Sequence, residues 1–584
     1  MRSLMLVAAM AAALVGTVAA PCPAQVRGER PPAAGGVPAA VAREAADVYN
    51  ATPTLRSIGP YELDSARTVA GDLAVIDGPL VLAGRVTGRV VAINADVTLR
   101  PGAVVEGDVL VIGGRLEGRE AAELRGDVRI YADTLPYRES EDRIVVGEDE
   151  PGPSTAEEWW THWRERRERS GARLLLTTGK TYNRVEGLPV MAGPAYRGRY
   201  DWGEANVELL GILRTADRVE WDAANLGHHA RAELRLGRDR GVLLGGELYD
   251  VVRPVEDWQL PADEVGLASA FLHRDYRDYY GAHGGALFAG IFAGADADVR
   301  LRFADERWRS REERDPFSLF RNGDPWRPNP RADEGAFHVA GATLRVDTRN
   351  VTDRPWSGWY VVADYERGQG RTTTLPLPSV PEGSLAPGRA VTYGRGFLDV
   401  RRYNRIAPGK QANVRVVLAG WLHGDPLPAQ RRLSVGGPGT LPGYDFRSVI
   451  GPTDVQQCST VVVEYGVPAQ CDRVALVQAE YRGDLRFSFG LDDWGELRSH
   501  GGRPAQWVAF VNSGRGWLTG APPAGVGGDA AALWVRRGRL PSPDSFRTDV
   551  GGGIDLGILG IFVAKAVSEP GQRMNFYIRL HERF

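Results

Sequence analysis

The stretch RMNFYIRLHERF, residues 573–584, places Met574, Phe576, Ile578 and Leu580 on one face of an extended chain and Asn575, Arg579 and His581 on the other. A period of two marks a strand with one dry and one wet face. The same pattern recurs along the second half of the chain. ARAELRLG sets Ala230, Ala232, Leu234 and Leu236 against Arg231, Glu233 and Arg235. DVRLRF sets Val299, Leu301 and Phe303 against Arg300 and Arg302, and ANVRVVLAGWL sets Val414, Val416 and Leu418 against Asn413 and Arg415. Strands of about 10 residues cross a bilayer when tilted. About 16 such segments start near 182, 205, 230, 241, 266, 283, 298, 336, 357, 392, 412, 474, 504, 547, 558 and 574. The expectation is an all-β fold: a 16-stranded antiparallel transmembrane β-barrel with lipid outside and charge within. An even count puts both ends of the sheet on one side. The longest connections, near 309–335, 368–391, 423–473 and 513–546, are then all odd-numbered and lie together on the opposite, outer side.

A second pattern precedes the barrel. GDLAVI starts at Gly71, GRVVAI at Gly88, GDVLVI at Gly107 and GDVRIY at Gly126, spacings of 17, 19 and 19 residues. A unit this short cannot bury its own apolar face, so neighbours must stack. This predicts a small right-handed β-solenoid of about four rungs over 64–148, with an antiparallel meander as the alternative. The rungs resemble the bactofilin-type polymer-forming β-helix. That resemblance implies a self-associating scaffold with no active site.

The remaining boundaries follow from composition. Arg2 and the apolar run after it read as a secretory signal peptide over 1–24, followed by a flexible N-terminal segment over 25–63. A linker over 149–175 contains PSTAEEWWTHWRERRERSG, a short amphipathic helix suited to a membrane interface or to packing on the solenoid. The barrel is assigned to 176–584. Export leaves Cys458 and Cys471, which are expected to pair. A net charge of -3 carries no nucleic-acid footprint. No nucleophile elbow or zinc-binding helix motif occurs, so no catalytic, cofactor or metal residue is assigned and an enzyme is not expected.

One connection is distinctive. SVGGPGTLPGYDFRS lies in the eleventh, the sixth on the outer side. Its glycines permit close approach and positive φ, while its prolines stiffen the rest. Gly436, Gly437, Pro438, Gly439, Thr440, Leu441, Gly443 and Tyr444 resemble the sixth loop of the BamA/TamA family, the bacterial surface antigen superfamily, whose barrels have sixteen strands. In that family the loop folds into the lumen and its arginine pairs with acids on the inner wall. Here Pro442 stands where the arginine belongs, and Arg447 is the candidate substitute. Tyr182, Asn183, Arg184, Val185, Glu186, Gly187 and Leu188 resemble the opening strand of superfamily barrels that lack the usual front end. Phe576, Ile578, Leu580 and Phe584 resemble the C-terminal signal of outer-membrane barrels, with Glu582 as a departure. The family's POTRA repeats are not visible, and the solenoid stands in their place.

The resemblance implies an outer-membrane protein of a Gram-negative-type bacterium, its N-terminal domain in the periplasm, assembling or translocating client outer-membrane proteins or other envelope components. Its surroundings would be outer-membrane lipid. Two other functions stay open: an envelope anchor displaying a self-associating solenoid, and a passive pore.

Overall fold

The computed structural model describes residues 39–131, 171–216, 224–350, 354–373, 388–446, 470–485 and 505–584, apart from one or two positions at a time within these, together with parts of 134–145 and Val37, Asp222 and Cys458. The expected signal peptide, the linker helix and Arg447 lie outside the described residues.

The repeat folds as three parallel sheets rather than as a meander. In the first sheet Leu73 pairs with Val90, Val90 with Val109 and Val109 with Val128, each two residues after a repeat glycine. Four full rungs and the first strand of a fifth are present. The glycine column is a steric requirement. A Cβ on Gly107 would stand 2.6 Å from the carbonyl carbon of Gly88, and one on Gly126 would stand 2.4 Å from that of Gly107. Leu73, Val75, Val90, Ala92, Val109 and Val111 fill the interior. The alternate residues Ala74, Ile76, Val91, Ile93, Leu110 and Ile112 are buried under helix α1, Ala39–Asn50, which explains why every residue of these strands is apolar. The segment expected to be flexible thus holds a packed helix and the first two strands of the first rung. Val41, Ala45, Val48 and Tyr49 bind it to the solenoid, as does an ion pair from Arg129 to Glu44.

The second half forms sixteen consecutive antiparallel strands: β1 Gly171–Thr177, β2 Val190–Tyr200, β3 Gly203–Leu213, β4 Leu226–Leu236, β5 Arg240–Pro254, β6 Tyr279–Ala293, β7 Ala297–Ser310, β8 Gly335–Asp347, β9 Gly358–Thr372, β10 Ala390–Ala407, β11 Lys410–Gly424, β12 Arg473–Asp484, β13 Gln506–Thr519, β14 Arg547–Asp555, β15 Gly560–Ala566 and β16 Asn575–Arg579. A two-residue strand, Trp534–Val535, adds a parallel pairing to β13 and makes seventeen. The outward face carries Leu209, Leu248, Leu287, Ile291, Leu301 and Phe303, each more than half exposed. Large apolar side chains exposed on successive strands mark the exterior of a membrane barrel.

The strand number agrees with the sequence reading, but two starts do not. The segment near 266 is helix α2, Ala262–Leu272, and the segment near 182 is a turn. β1, at Gly171–Thr177, precedes the expected barrel start at 176. Helix α2 forms because Pro261 fixes its entry, Asp263 and Glu264 face the positive end of its dipole, and Val265, Gly266 and Ser269 make one buried face. The parity survives. Odd connections span 178–189, 214–225, 255–278, 311–334, 373–389, 425–472, 520–546 and 567–574. Even ones are mostly short, such as 201–202, 237–239 and 408–409, with 485–505 the exception.

Candidate functional site: the filled interior

The Gly-rich stretch of connection eleven is a folded element inside the barrel. From Gln430 to Tyr444 every residue is buried except Pro438, which is half-buried. Its own turns satisfy much of its backbone: Gly437 N donates to Leu441 O and Tyr444 O at 3.1 Å, and Gly436 N donates to Thr440 Oγ1 at 2.8 Å. Gly436 at φ 126° and Gly437 at φ 90° occupy backbone space that a side chain would strain.

The wall receives the loop at several strands. Gly443 N donates to Asp549 Oδ2 on β14 at 2.7 Å, and Gln478 Nε2 on β12 donates to Thr440 O at 3.0 Å. Asn575 Nδ2 on β16 donates to Pro442 O at 3.1 Å. Ser434 Oγ donates to Glu256 Oε2 at 2.7 Å, joining the loop to connection five. Leu433, Val435, Leu441 and Tyr444 share an apolar cluster with the bonded pair Cys458 and Cys471. Leu433 and Cys471 exchange both backbone hydrogen bonds, and this pairing holds the returning arm, at its disulfide-bonded end, against the outgoing one.

The arginine that this connection sends to the wall lies upstream of the glycines. Arg431 Nε lies 2.8 Å from Glu366 Oε1 on β9, and its Nη1 donates to Tyr280 OH at 2.7 Å. Its guanidinium stands 4.5 Å from the Trp308 ring centroid. Burial of this charge is sustained because Glu366 also holds Arg395 at 3.0 Å and Tyr393 at 2.7 Å. The pair of arginines five residues before the glycines, in PAQRRLSVGG, was the available signal for it.

Residues Tyr182 to Leu188 are not the opening strand. They form a turn in the first connection, where Asn183 and Gly187 exchange backbone hydrogen bonds of 3.0 and 2.8 Å. Gly187 sits at φ 66°. Asn183 Oδ1 accepts from Val185 N and Glu186 N, which locks the turn. Arg184, fully buried, pairs with Asp275 at 3.1 Å and Asp278 at 3.0 Å in connection five, and donates to Asn329 Oδ1 in connection seven at 3.0 Å. Glu186 pairs with Arg214 at 3.1 Å in connection three. Tyr182 donates to Phe317 O, and Leu188 stays exposed. The motif is the hub of a cap built from four odd-numbered connections.

The carboxy-terminal residues divide. Phe576 and Ile578 face outward and are exposed, whereas Leu580 and Phe584 lie beyond the strand on a tail that turns inward. Tyr403 OH donates to Phe584 O at 2.9 Å. Glu582 meets Arg482 at 3.0 Å, which accounts for an acid where an apolar residue was expected. Burial pushes its carboxyl up to about 7, with Glu480 and Asp555 adding to the shift and Arg482 opposing it.

Helix α2 ties the two ends of the sheet together. Glu264 accepts from Arg579 Nε at 2.7 Å, Leu580 N at 2.7 Å and His581 N at 2.9 Å, all at the end of β16. Asp263 pairs with His581. Two residues along, Gly266 lies against Thr181 just past β1, where a Cβ would stand 2.9 Å from Thr181 Cγ2. No backbone pairing joins β1 to β16 among the described residues. Leu174 and Leu176 on β1 are 83% and 73% exposed.

No group of metal-ligating side chains occurs among the described residues. No family model matches the chain. No curated protein matches it either. Solved structures match the chain at low identity, three of them as follows. The BamA of Haemophilus ducreyi lacking POTRA domains 1-3 is 14% identical at a TM-score of 0.40, over 76% of this chain and 88% of that one. CdiB from Acinetobacter baumannii is 11% identical at 0.28, over 70% and 65%. CdiB from Escherichia coli is 11% identical at 0.30, over 76% and 67%.

Proposed function

We propose that the chain is an outer-membrane protein that assembles or translocates other envelope polypeptides through its seam, with the solenoid on the periplasmic side. The observation that carries this reading is the pair of unjoined sheet edges at β1 and β16, bridged by one helix instead of a backbone ladder. A strand edge with free N–H and C=O groups pairs readily with another chain. A membrane-embedded edge confines that pairing to strands already at the bilayer. Placement of the solenoid is supported by the ion pair of Arg405, beside the short connection 408–409, with Asp96 at 3.4 Å. The loop and helix packed inside argue against a passive pore. The reading is tested by depletion followed by outer-membrane proteomics. Loss of integral barrel proteins is expected, and an unchanged outer-membrane proteome refutes it. A cysteine pair linking β1 to β16 should reproduce the depletion, with reversal by reductant.

A second reading, an envelope anchor, is favoured by the solenoid's own edge. Among the described residues the last parallel strand, Val128–Tyr131, has no further rung upon it, and Ile130 is 45% exposed. End-to-end stacking of solenoids would cover it. A purified solenoid fragment bearing α1 that sediments as a monomer at high concentration excludes this reading.

A further inference from the structure

On the outward face the strand register sorts side chains into rows, since directly paired residues point the same way. One row is Val242, Ile291, Val299 and Leu344, the next Leu244, Ala289, Leu301, Ala342 and Tyr365. Toward the long connections the next row is Leu287, Phe303, Ala340 and Arg367. Beyond it the chemistry changes. His283 pairs with Arg307, which is opposite Ala336 and then Arg371, and Arg309 follows one row further out. Arg307, Arg309, Arg367 and Arg371 are all exposed. The acids on this belt are already engaged: Asp305 with His338 at 3.6 Å, and Asp250 with Arg311 at 3.5 Å and with Arg214 and His283 at 3.6 Å. Among the described residues no carboxylate lies within ion-pair distance of the four arginines, and Arg371 donates to Gly388 O at 2.7 Å. The opposite rim ends in aromatic rings instead, with Tyr200 stacked on Trp202 at 4.8 Å and Arg402 over Trp359 at 5.1 Å.

We infer that β6 to β9 form a docking surface for an anionic lipid of the leaflet at the long-connection rim, with its phosphates on Arg307, Arg309, Arg367 and Arg371 and its acyl chains on the apolar rows beneath. A guanidinium fork matches phosphate oxygens in two hydrogen bonds. The apolar rows continue into the charged one on the same strands, so the occupant must be anionic at one end and apolar at the other. A soluble polyanion would use the arginines and leave Leu287, Phe303 and Leu301 bare. The inference rests on the reading that this rim lies in a membrane.

The test uses the full chain in vesicles of phosphatidylcholine, with or without a minor fraction of lipid A, followed by detergent extraction and native mass spectrometry of retained lipid. The native chain should retain lipid A selectively. R307A/R309A/R371A should lower apparent affinity about a hundredfold, each arginine near an anionic surface contributing roughly fivefold. R240A/R402A at the opposite rim should bind as the native chain does. Retention undiminished in the triple variant, an equal loss in the opposite-rim variant, or displacement by inorganic phosphate at matched phosphate concentration would overturn the inference. Heat-modifiable migration reports the fold, and single substitutions replace any variant that fails it. A native chain that does not insert into vesicles overturns the membrane reading and this inference with it. A chain that inserts without lipid preference overturns only the inference.

Discussion

Replacing Glu264 with alanine should release the end of β16. Glu264 and Arg579 are 8% and 3% exposed, and the carboxylate accepts from one guanidinium and two backbone amides at 2.7 to 2.9 Å. The substitution strands all three donors. A buried unsatisfied donor costs about 1–3 kcal/mol, and removing one partner of a buried ion pair costs about 3–5 kcal/mol. The tail is terminal and is free to move toward water, so the net loss should lie at the low end, about 3 kcal/mol. That raises the population of released tail roughly a hundredfold. Hydrogen exchange read on a peptide spanning 574–584 is the assay, with a peptide from β12 as control. Exchange of Leu580 and His581 amides should accelerate by about that factor while β12 stays protected. E264Q keeps one acceptor oxygen and turns an amide toward Arg579, so it should fall between. If E264A leaves the 574–584 peptide at native protection, the helix does not hold the last strand and the account of the seam fails.

Gly443→Ala puts a Cβ 2.6 Å from Asp549 Cβ and 2.7 Å from Ala566 N; it should undock the sixth outer loop at a cost of about 1–3 kcal/mol, read as new trypsin cleavage at Arg431 or Arg432. Arg431→Ala should destabilise by about 1–3 kcal/mol because Tyr280 and Glu366 lose a buried donor while Arg395 still pairs with Glu366; a lower temperature for heat-modified migration checks it, with R431K intermediate. Glu582 holds its proton more tightly folded than unfolded, since its carboxyl is raised to about 7 from 4.5. Stability from this source is present below about pH 4.5 and falls as pH rises through 7, so the tail peptide should exchange faster at pH 8 than at pH 6 after correction for intrinsic rates. E582Q should abolish that difference.

The strand number was legible because each membrane strand must alternate by itself, whatever its neighbours do. It was reached through two compensating errors. ADEVGLASAFL carries helix signals in Asp263, Glu264 and the apolar spacing of Val265, Ala268 and Leu272, yet it sits among strands of similar hydrophobicity. GARLLLT was overlooked because seven residues are short for a crossing. The loop glycines were legible because their backbone demands are local. The partners of Arg184 and Arg431 were not. Arg184 meets residues 91 to 145 positions away, and no local pattern encodes a distance of that kind.

Helix α2 makes the closure of the sheet a buckle rather than a zipper. A backbone ladder opens bond by bond, and both edges lose their partners together. A buckle has two independent prongs. Glu264 grips the last strand through charge, while Gly266 and Thr181 touch by shape alone. Displacing one carboxylate therefore loosens the end of β16 while β1 stays moored to the cap through Tyr182 and Arg184. Under the proposed function, that asymmetry offers the β16 edge first.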